Sequence, residues 1–307
     1  MNFNAADTQV YAPQSSSRCQ LPKPHTSGVR VDAAGLSHGG NLRPNNEDHF
    51  LVVRFGRFLE SLGTNLPADQ VPSRFEEDGY GMAVADGMGG HAAGEEASRL
   101  AITTLLNQVL TAPEWILRAD NPSLAAEIMR RAAERFETIG RVLAQEAADE
   151  PDLHGFGTTM TFAASVGRNL FVAHIGDSRA YVLRRGTLHQ LTRDHTLVRE
   201  MYEAGEITLD QAATHRMRHA LTRNLGPEKG AKPDVQELGL EDGDCLLLCS
   251  DGLHEMVSAD TIAAVLAAGA PSETICTRLI DLALAAGGKD NVTVVVAQYT
   301  ISEEGRS

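Results

Sequence analysis

Residues 159–183 read TMTFAASVGRNLFVAHIGDSRAYVL, and this stretch indicates the fold class most directly. It contains three strand-like runs, at 159–166, 170–175 and 180–183. Short turns with a glycine separate them, Gly167-Arg168-Asn169 and Gly176-Asp177-Ser178. Strand-like runs joined by such turns are typical of consecutive antiparallel strands. The stretch therefore predicts an antiparallel sheet.

Further strands and helices are predicted on both sides of this stretch. Strand-like runs begin at Val29 and recur at 50–53, 80–85, 245–249 and 292–299. Apolar residues spaced by three or four positions predict one pair of helices before the central strands, and a second pair follows Cys249. We therefore predict an α+β fold. Two antiparallel β-sheets would pack as a sandwich flanked by helices on both sides, giving four layers, α-β-β-α.

The chain is expected to form one domain with short extensions. Residues 1–28 are rich in Ser, Gln, Asn and Pro and show no periodicity, which predicts a disordered leader. Residues 29–301 would form a single catalytic domain, followed by a tail over 302–307. Polar residues with helical spacing at about 195–226 predict an inserted flap. Residues 54–79 contain Gly, Pro and clustered acids, which predicts a long loop or insertion.

The composition narrows the functional classes. The 307 residues include 41 acidic and 27 basic side chains, a formal net charge of -14. Nucleic acids and anionic membranes attract clustered positive charge, so neither is expected as a partner. The absence of an apolar run of eighteen residues, and of a basic start followed by an apolar block, leads us to expect a cytoplasmic protein. The four cysteines are expected to be reduced structural thiols.

Four separated acidic signatures suggest the chemistry. Each lies beside an apolar run or a glycine turn: Arg43-Pro44-Asn45-Asn46-Glu47-Asp48, Asp86-Gly87-Met88-Gly89-Gly90, Ser250-Asp251-Gly252 and Lys289-Asp290-Asn291. Carboxylates brought together from such distant positions would repel one another unless cations lay between them. Carboxylate oxygens are ligands for hard divalent metals. The pattern therefore favours a two-metal hydrolase.

These residues, in this order, resemble the metal-dependent serine/threonine protein phosphatases of type 2C, in particular the bacterial members. Three further motifs lie between the acidic signatures in the order of the family: Gly157-Thr158-Thr159, Gly176-Asp177-Ser178-Arg179 and Asp194-His195-Thr196. The resemblance runs from about Val29 to Thr300. It implies a β-sandwich between helical layers and a binuclear centre of manganese or magnesium.

The resemblance also implies a role for each site residue. Asp86 would bridge two Mn²⁺ or Mg²⁺ ions, Asp251 and Asp290 would complete the first ion's protein ligands, and Glu47 with the Gly87 carbonyl would bind the second. A third, weaker ion would be held in part by Asp152. A water bridging the ions would lose its proton and attack phosphorus in line, without a phosphoenzyme. Two catalytic residues would assist, Asp48 by orienting water and Arg43 by binding phosphate oxygens.

Two positions depart from the pattern of the family. Met88 stands where many eukaryotic relatives have a histidine that can protonate the leaving oxygen, and methionine cannot donate that proton. A water on the metal or His91 are the alternatives for the general acid, and the residues do not decide between them. Glu255 stands where the family usually has aspartate. Its longer side chain changes the geometry available to a third ion.

Other interpretations of the same residues were weighed. Gly87-Met88-Gly89-Gly90-His91-Ala92 fits a dinucleotide-binding fingerprint, but no second parallel strand with a terminal acid follows at the required distance. His215 and His219 would lie one helical turn apart and could bind a transition metal. A solvated basic face on the flap is the favoured interpretation of that segment. Asp177 is interpreted as a turn residue.

The function predicted from the sequence is hydrolysis of phosphoserine and phosphothreonine in protein substrates, opposing a cognate serine/threonine kinase. One alternative is a phosphoprotein-binding pseudophosphatase. All six residues of the proposed site are present, which argues against it: Arg43, Glu47, Asp48, Asp86, Asp251 and Asp290. The other alternative is a hydrolase of small phosphoesters, which an open, water-rich site would permit.

Overall fold

The computed structural model describes residues 28–67, 70–71, 73–89, 93–111, 122–150, 155–227 and 232–302. The strands are β1 (Val29–His38), β2 (Asp48–Glu60), β3 (Arg74–Met88), β4 (Gly157–Thr158), β5 (Met160–Val166), β6 (Asn169–Ile175), β7 (Arg179–Arg184), β8 (Thr187–Gln190), β9 (Asp234–Gly239), β10 (Cys245–Cys249) and β11 (Val292–Ile301). The helices are α1 (Ala93–Thr111), α2 (Pro122–Asp149), α3 (Leu197–Glu203), α4 (Leu209–Thr214), α5 (Asp251–His254), α6 (Ala259–Leu266) and α7 (Ser272–Ala285).

The strands form two antiparallel sheets. One has the order β1-β11-β10-β7-β8, and the other has the order β2-β3-β5-β6-β9, with β4 paired to β3. Buried apolar side chains of both sheets meet in one cluster between them, for example Met82 and Val84 of β3 with Leu246 and Val295 of the opposite sheet. Burial of this apolar surface holds the two sheets together. The predicted sandwich is confirmed.

Helices cover both outer faces of the sandwich. Phe136 and Leu143 of α2 and Leu105 of α1 are buried against the sheet that contains β3 and β5. On the other side, Ile262 of α6 and Leu279 of α7 are buried against the sheet that contains β10 and β11. The four layers α-β-β-α are therefore present, as predicted. Among the described residues, no helix is long and apolar enough to cross a membrane.

The connection from β6 to β7 differs from the prediction. We expected these strands to be adjacent in one sheet, whereas β6 pairs with β5 and β9, and β7 pairs with β10 and β8. The turn at Gly176, where φ is +110°, carries the chain from one sheet to the other. A short turn signal cannot reveal the sheet partner, because pairing depends on distant strands. The crossing brings Asp177 to the edge of the sandwich.

The prediction of a long loop or insertion at 54–79 is wrong at both ends, because residues 54–60 and 74–79 belong to β2 and β3. β2 and β3 pair continuously from Asp48↔Asp86 to Glu60↔Arg74, and β5 joins β3 only over Gly79–Val84. The outer part of the hairpin is therefore a two-stranded ribbon. Cross-strand ion pairs connect its strands, including Arg54 with Asp78 at 2.6 Å. The charges that indicated a loop are cross-strand partners, which stabilise paired strands.

The flap at about 195–226 contains α3 and α4, which begin at the N-caps Thr196 and Thr208. Two backbone hydrogen bonds close its base: the Leu197 N–H donates to the Ala220 carbonyl at 2.9 Å, and the Thr222 N–H donates to the His195 carbonyl at 2.8 Å. Because its two ends are hydrogen-bonded to each other, the flap leaves the sandwich and returns to it at the same place.

Two buried histidines lie under the base of the flap. The His174 and His195 rings are 4.9 Å apart between centroids. His174 Nδ1 is 2.9 Å from the Thr161 hydroxyl, and His195 Nδ1 accepts a hydrogen bond of 3.0 Å from the Gly176 N–H. Burial, with a smaller contribution from His195, lowers the pKa of His174 from 6.5 to about 3. The folded protein therefore keeps His174 neutral where the unfolded chain protonates it.

This difference predicts a loss of stability in acid. As pH falls below 6.5, the unfolded chain takes up a proton that folded His174 does not, so the free energy of unfolding falls between pH 6.5 and about 3. The loss is about 1.4 kcal/mol per pH unit. In urea unfolding, the stability advantage of the wild type over His174→Gln should shrink by about 2 kcal/mol from pH 7 to pH 5. The exposed His189→Gln is the control. If the stability difference between the wild type and His174→Gln is the same at pH 7 and pH 5, His174 is not kept neutral by the fold.

Candidate metal centre

The acidic signatures meet in one cleft at an edge of the sandwich. Asp86 lies near the end of β3, Asp251 directly follows β10 in the first turn of α5, and Asp290 precedes β11. These elements belong to different sheets, so neither sheet could build the site alone. The cavity has a volume of about 500 Å³, and its lining includes Arg43, Glu47, Asp86, Gly87, Asp177, Asp251 and Asp290.

The backbone of Asp86 is fixed by the Gly157-Thr158-Thr159 motif. The Asp86 carbonyl accepts hydrogen bonds from the Thr159 N–H at 2.9 Å and the Thr158 hydroxyl at 2.8 Å. The Asp86 N–H donates to Thr159 Oγ1 at 3.1 Å. Both threonines are buried. These bonds explain the motif and leave the Asp86 carboxylate free to point into the cleft.

Glu47 and Gly87 are held side by side against α1. The Gly87 N–H donates to the Glu47 carbonyl at 3.1 Å, and the Ser98 hydroxyl donates to the same oxygen at 2.5 Å. A Cβ at Gly87 would lie 2.0 Å from the Gly94 carbonyl oxygen. Only glycine fits this contact between β3 and α1. The packing of β3 on α1 therefore requires a glycine at this position.

Asn291 connects the two sheets at the cleft, and the sequence analysis assigned it no role. Its Oδ1 accepts from the Glu47 N–H at 2.8 Å, and its Nδ2 donates to the carbonyls of Asn45 at 2.8 Å and Gly39 at 3.0 Å. Its own N–H donates to Asp290 Oδ1 at 2.9 Å. One side chain therefore positions both the Glu47 loop and the start of β11. The signal was its place next to Asp290 in the last acidic signature.

Arg43 reaches into the cleft and pairs with Asp290. Its Nη2 lies 2.6 Å from Asp290 Oδ2, and more than half of the Arg43 side chain is exposed. The hydrogen bond with Asp290 raises the pKa of Arg43, so the guanidinium remains charged. Among the described residues, no other acidic side chain forms an ion pair with it. Most of its donor fork therefore faces the open cleft.

Asp48 is buried behind the other carboxylates. Its Oδ2 accepts a hydrogen bond of 2.7 Å from the Ser250 hydroxyl, and its Oδ1 has no hydrogen-bond partner among the described residues. Burial raises the pKa of Asp48 to about 6, and the hydrogen bond from Ser250 partly offsets that effect. A buried carboxylate oxygen without a donor is costly, so the site is built to receive a proton donor or a cation.

The remaining carboxylates destabilise one another's charged forms. Burial, followed by the charges of Asp48 and Asp251, raises the pKa of Asp86 well above its usual value. Burial, followed by the charges of Asp177 and Asp290, raises the pKa of Asp251 well above its usual value. Cations between the carboxylates would remove this repulsion. An all-oxygen donor set in a wet cleft fits magnesium or manganese.

Asp177 lies in the predicted turn, but its carboxylate also belongs to the acidic cleft. Burial and then the charge of Asp194 raise its pKa to about 7. Its backbone carbonyl is 3.1 Å from His254 Nε2. The sequence analysis treated it as a turn residue alone, because nothing local reveals that the turn crosses between sheets.

His219 faces the cleft from the flap, which the sequence analysis missed. Its Nδ1 is 3.2 Å from Glu255 Oε1 and 3.9 Å from Asp251 Oδ2. The three side chains could together hold a cation. His215 lies apart as the C-cap of α4, because the helix ends at Thr214. The prediction that the two histidines lie one helical turn apart is therefore wrong.

Three sequence predictions near the cleft have different outcomes. Asp152, the expected ligand of a third ion, lies outside the described residues, and so does His91. Met88 lines the cleft, and its sulfur accepts a contact of 3.2 Å from Asn224 Nδ2 of the flap. The flap is thus in contact with the position where relatives carry a proton donor.

Packing at Gly252 yields a prediction for the site. A Cβ there would lie 1.9 Å from the Asn291 carbonyl oxygen, so Gly252→Ala must displace β11 or α5. Overpacking of this kind costs about 1–3 kcal/mol. Urea unfolding should show that loss. Gly239→Ala, where no atom lies within 4 Å, is the matched control and should change stability by less than about 0.5 kcal/mol. Equal effects of the two variants would contradict the packing.

Comparison with known proteins supports the resemblance. The family model described as protein phosphatase 2C matches residues 66–279, more than two thirds of the chain. The serine/threonine protein phosphatase PstP of Mycobacterium tuberculosis is 39% identical over 226 residues, which cover 74% of this chain. The chain spans only 41% of the length of PstP. Protein phosphatase PhpP of Streptococcus pneumoniae is 36% identical over 272 residues, covering 88% of this chain and 97% of PhpP.

Solved structures share the fold. The serine/threonine phosphatase of S. agalactiae superposes with a TM-score of 0.73 at 32% identity, covering 89% of this chain and 100% of that one. The catalytic domain of PstP, solved in complex with two manganese ions, has a TM-score of 0.69 at 34% identity, covering 89% of this chain and 99% of that one. The sandwich, the ordered motifs and these similarities together show that the chain belongs to the bacterial branch of the protein phosphatase 2C family.

Proposed function

We propose that this chain is a metal-dependent phosphatase that hydrolyses phosphoserine and phosphothreonine in proteins. One observation carries the proposal: acidic side chains from both sheets converge, largely buried, on one cleft where they raise one another's pKa. Such a cluster is costly unless divalent cations occupy it. The family supports the activity, since its curated bacterial relatives are named serine/threonine phosphatases. We assign the activity to one catalytic domain, residues 29–301, whose first and last strands pair at Val29↔Ile301.

The donors present fit two ions. Asp86 would bridge them, Asp251 and Asp290 would complete the protein ligands of the first, and Glu47 with the Gly87 carbonyl would bind the second. The PstP catalytic domain was solved with two manganese ions, which supports manganese, and magnesium suits the same oxygens. When bound, the ions would supply a Lewis acid and an activated water at neutral pH.

Asp48 would orient the attacking water. Ser250 occupies Oδ2, and Oδ1 has no partner among the described residues, so one oxygen remains available for a water in the cleft. Because the Asp48 side chain is fixed by burial between β2 and α5, the hydrogen bond it accepts would have a defined direction. Asp48 would therefore position the attacking water through a hydrogen bond to its Oδ1 atom.

Arg43 would hold the substrate. Its planar guanidinium matches two phosphate oxygens, and only Nη2 is used by Asp290. The remaining donors of the guanidinium would hydrogen-bond to the phosphate oxygens. The positive charge would also offset the negative charge that accumulates in the transition state.

A third, weaker ion would lie beside Asp251. Glu255 and His219 are close enough to contribute ligands, and Asp152 would add another by resemblance to bacterial relatives. A nitrogen donor favours manganese over magnesium at this position. Because His219 belongs to the flap, this site would link the flap to the cleft.

The substrates would be phosphoproteins. A cognate serine/threonine kinase would produce them, and this chain would reverse its action. The net charge of -14 supports neither nucleic acid nor an anionic membrane as a partner.

Replacement of Asp251 tests the proposal. The wild type should release phosphate from a phosphothreonine peptide with manganese or magnesium and not with a chelator. Asp251→Asn removes one metal ligand, so its rate should fall by more than about a hundredfold. Asp281→Asn, on the exposed face of α7, is the matched control and should keep the wild-type rate.

Two outcomes would contradict the proposal. A folded wild-type protein with no turnover under any metal would favour a phosphoprotein-binding role. Turnover that persists in Asp251→Asn, or in the presence of chelator, would exclude the metal centre described above.

A further inference from the structure

A second cavity lies next to the metal cleft, between the flap and the end of α5. Its volume is about 500 Å³, and Asp177 lines both cavities, so they adjoin. We call it the flap groove and define it by its flap residues Val198, Arg199, Tyr202, Leu209, Ala212 and Arg218. A chain that placed one residue in the metal cleft could place a neighbouring residue in this groove.

The flap groove has an apolar wall. Tyr202, Leu209 and Ala212 come from α3 and α4, and Met256 faces them from beyond α5. Leu209 is 58% exposed, although it lies at the first position of a helix that could have turned it inward. An exposed leucine in a concave site can bury an apolar side chain of a ligand.

The same wall carries positive charge. Among the described residues, the flap side of the groove is lined by two arginines and by no acidic side chain. The opposite side carries both signs of charge: Arg179, Lys289, Asp177, Asp194 and Glu255. Arg199 shares Glu203 with Arg193, so two guanidinium groups have one carboxylate between them. Arg218 forms no ion pair with any residue that the structure describes, and its side chain is exposed. By contrast, Arg179 at the floor is already paired with Asp194 at 2.6 Å.

We propose that the flap groove binds the residues that flank the phosphorylated residue of the substrate, with a preference for one acidic and one apolar side chain. The inference rests on the proposed phosphatase function. The cations favour a negative partner, and the apolar wall favours one that also carries a hydrocarbon side chain. A peptide supplies both, whereas a free inorganic anion supplies only charge. Arg218 and Leu209 are therefore specificity-determining residues of the flap.

The test uses phosphothreonine peptides that differ at one position at a time. Each of the three residues on either side of the phosphothreonine is replaced by Glu or Lys, and kcat/KM is measured with manganese. The wild type should prefer Glu to Lys about tenfold at one or two positions, chiefly through KM. In Arg218→Glu that preference should be reversed at the same positions, because the nearby charge is reversed. A general loss of activity in the variant does not change the ratio of kcat/KM between the Glu and Lys peptides.

Arg216→Glu is the matched control. Arg216 lies on the same exposed segment and carries the same charge, but it does not line the groove. It should keep the Glu preference of the wild type. For the apolar wall, a second peptide pair with Leu or Ser at each position should show a Leu preference of about threefold that Leu209→Ser removes.

The outcomes separate the two proposals. If the wild type hydrolyses none of the peptides with any metal, the phosphatase function itself fails. If it hydrolyses them with no Glu preference at any position, the flap groove is not the flank site. The same conclusion follows if Arg218→Glu retains the preference, or if Arg216→Glu alters it equally, since the latter would reflect only the overall charge of the flap.

Discussion

The repulsion among buried carboxylates is the constraint around which this structure is organised. Asp86 and Asp251 reach the cleft from opposite sheets, and for each of them burial, followed by the charges of neighbouring carboxylates, raises the pKa. Burial of unpaired carboxylates is costly, so such groups normally lie in water. The sandwich instead holds them together through strand pairing, the threonine bonds to Asp86 and the Asn291 side chain. The carboxylates at the cleft therefore lower the free energy of unfolding of the protein, and bound cations would raise it again.

The flap is tied to this cleft at several points. Its base is anchored by His195, whose Nε2 lies 3.0 Å from Asp234 and whose Nδ1 accepts from Gly176, the residue before Asp177. His219, next to Ala220 at the same base, lies 3.2 Å from Glu255. The same segment that bounds the groove for substrate residues thus contacts the acidic cleft.

Sequence patterns predicted the parts of the protein that depend on local or ordered signals. The strands around 159–175, the helical layers and the acidic signatures all follow from periodicity and from the order of motifs. Three features depended on distant partners and were not predictable: the change of sheet at Gly176, the cross-strand pairing of Arg54 with Asp78, and the approach of His219 to Asp251. In each case the residue types were compatible with a simpler local interpretation, and only the tertiary arrangement decided.

Thermal unfolding of the wild type and Asp86→Asn, each with chelator and with excess manganese, tests the central claim most directly. In chelator, Asp86→Asn removes one of the repelling charges, so its melting temperature should exceed that of the wild type. With manganese at about a hundred times its dissociation constant, the wild type should gain about 2.7 kcal/mol and the variant little. A variant that is less stable than the wild type in chelator, or that gains as much from manganese, would contradict the account.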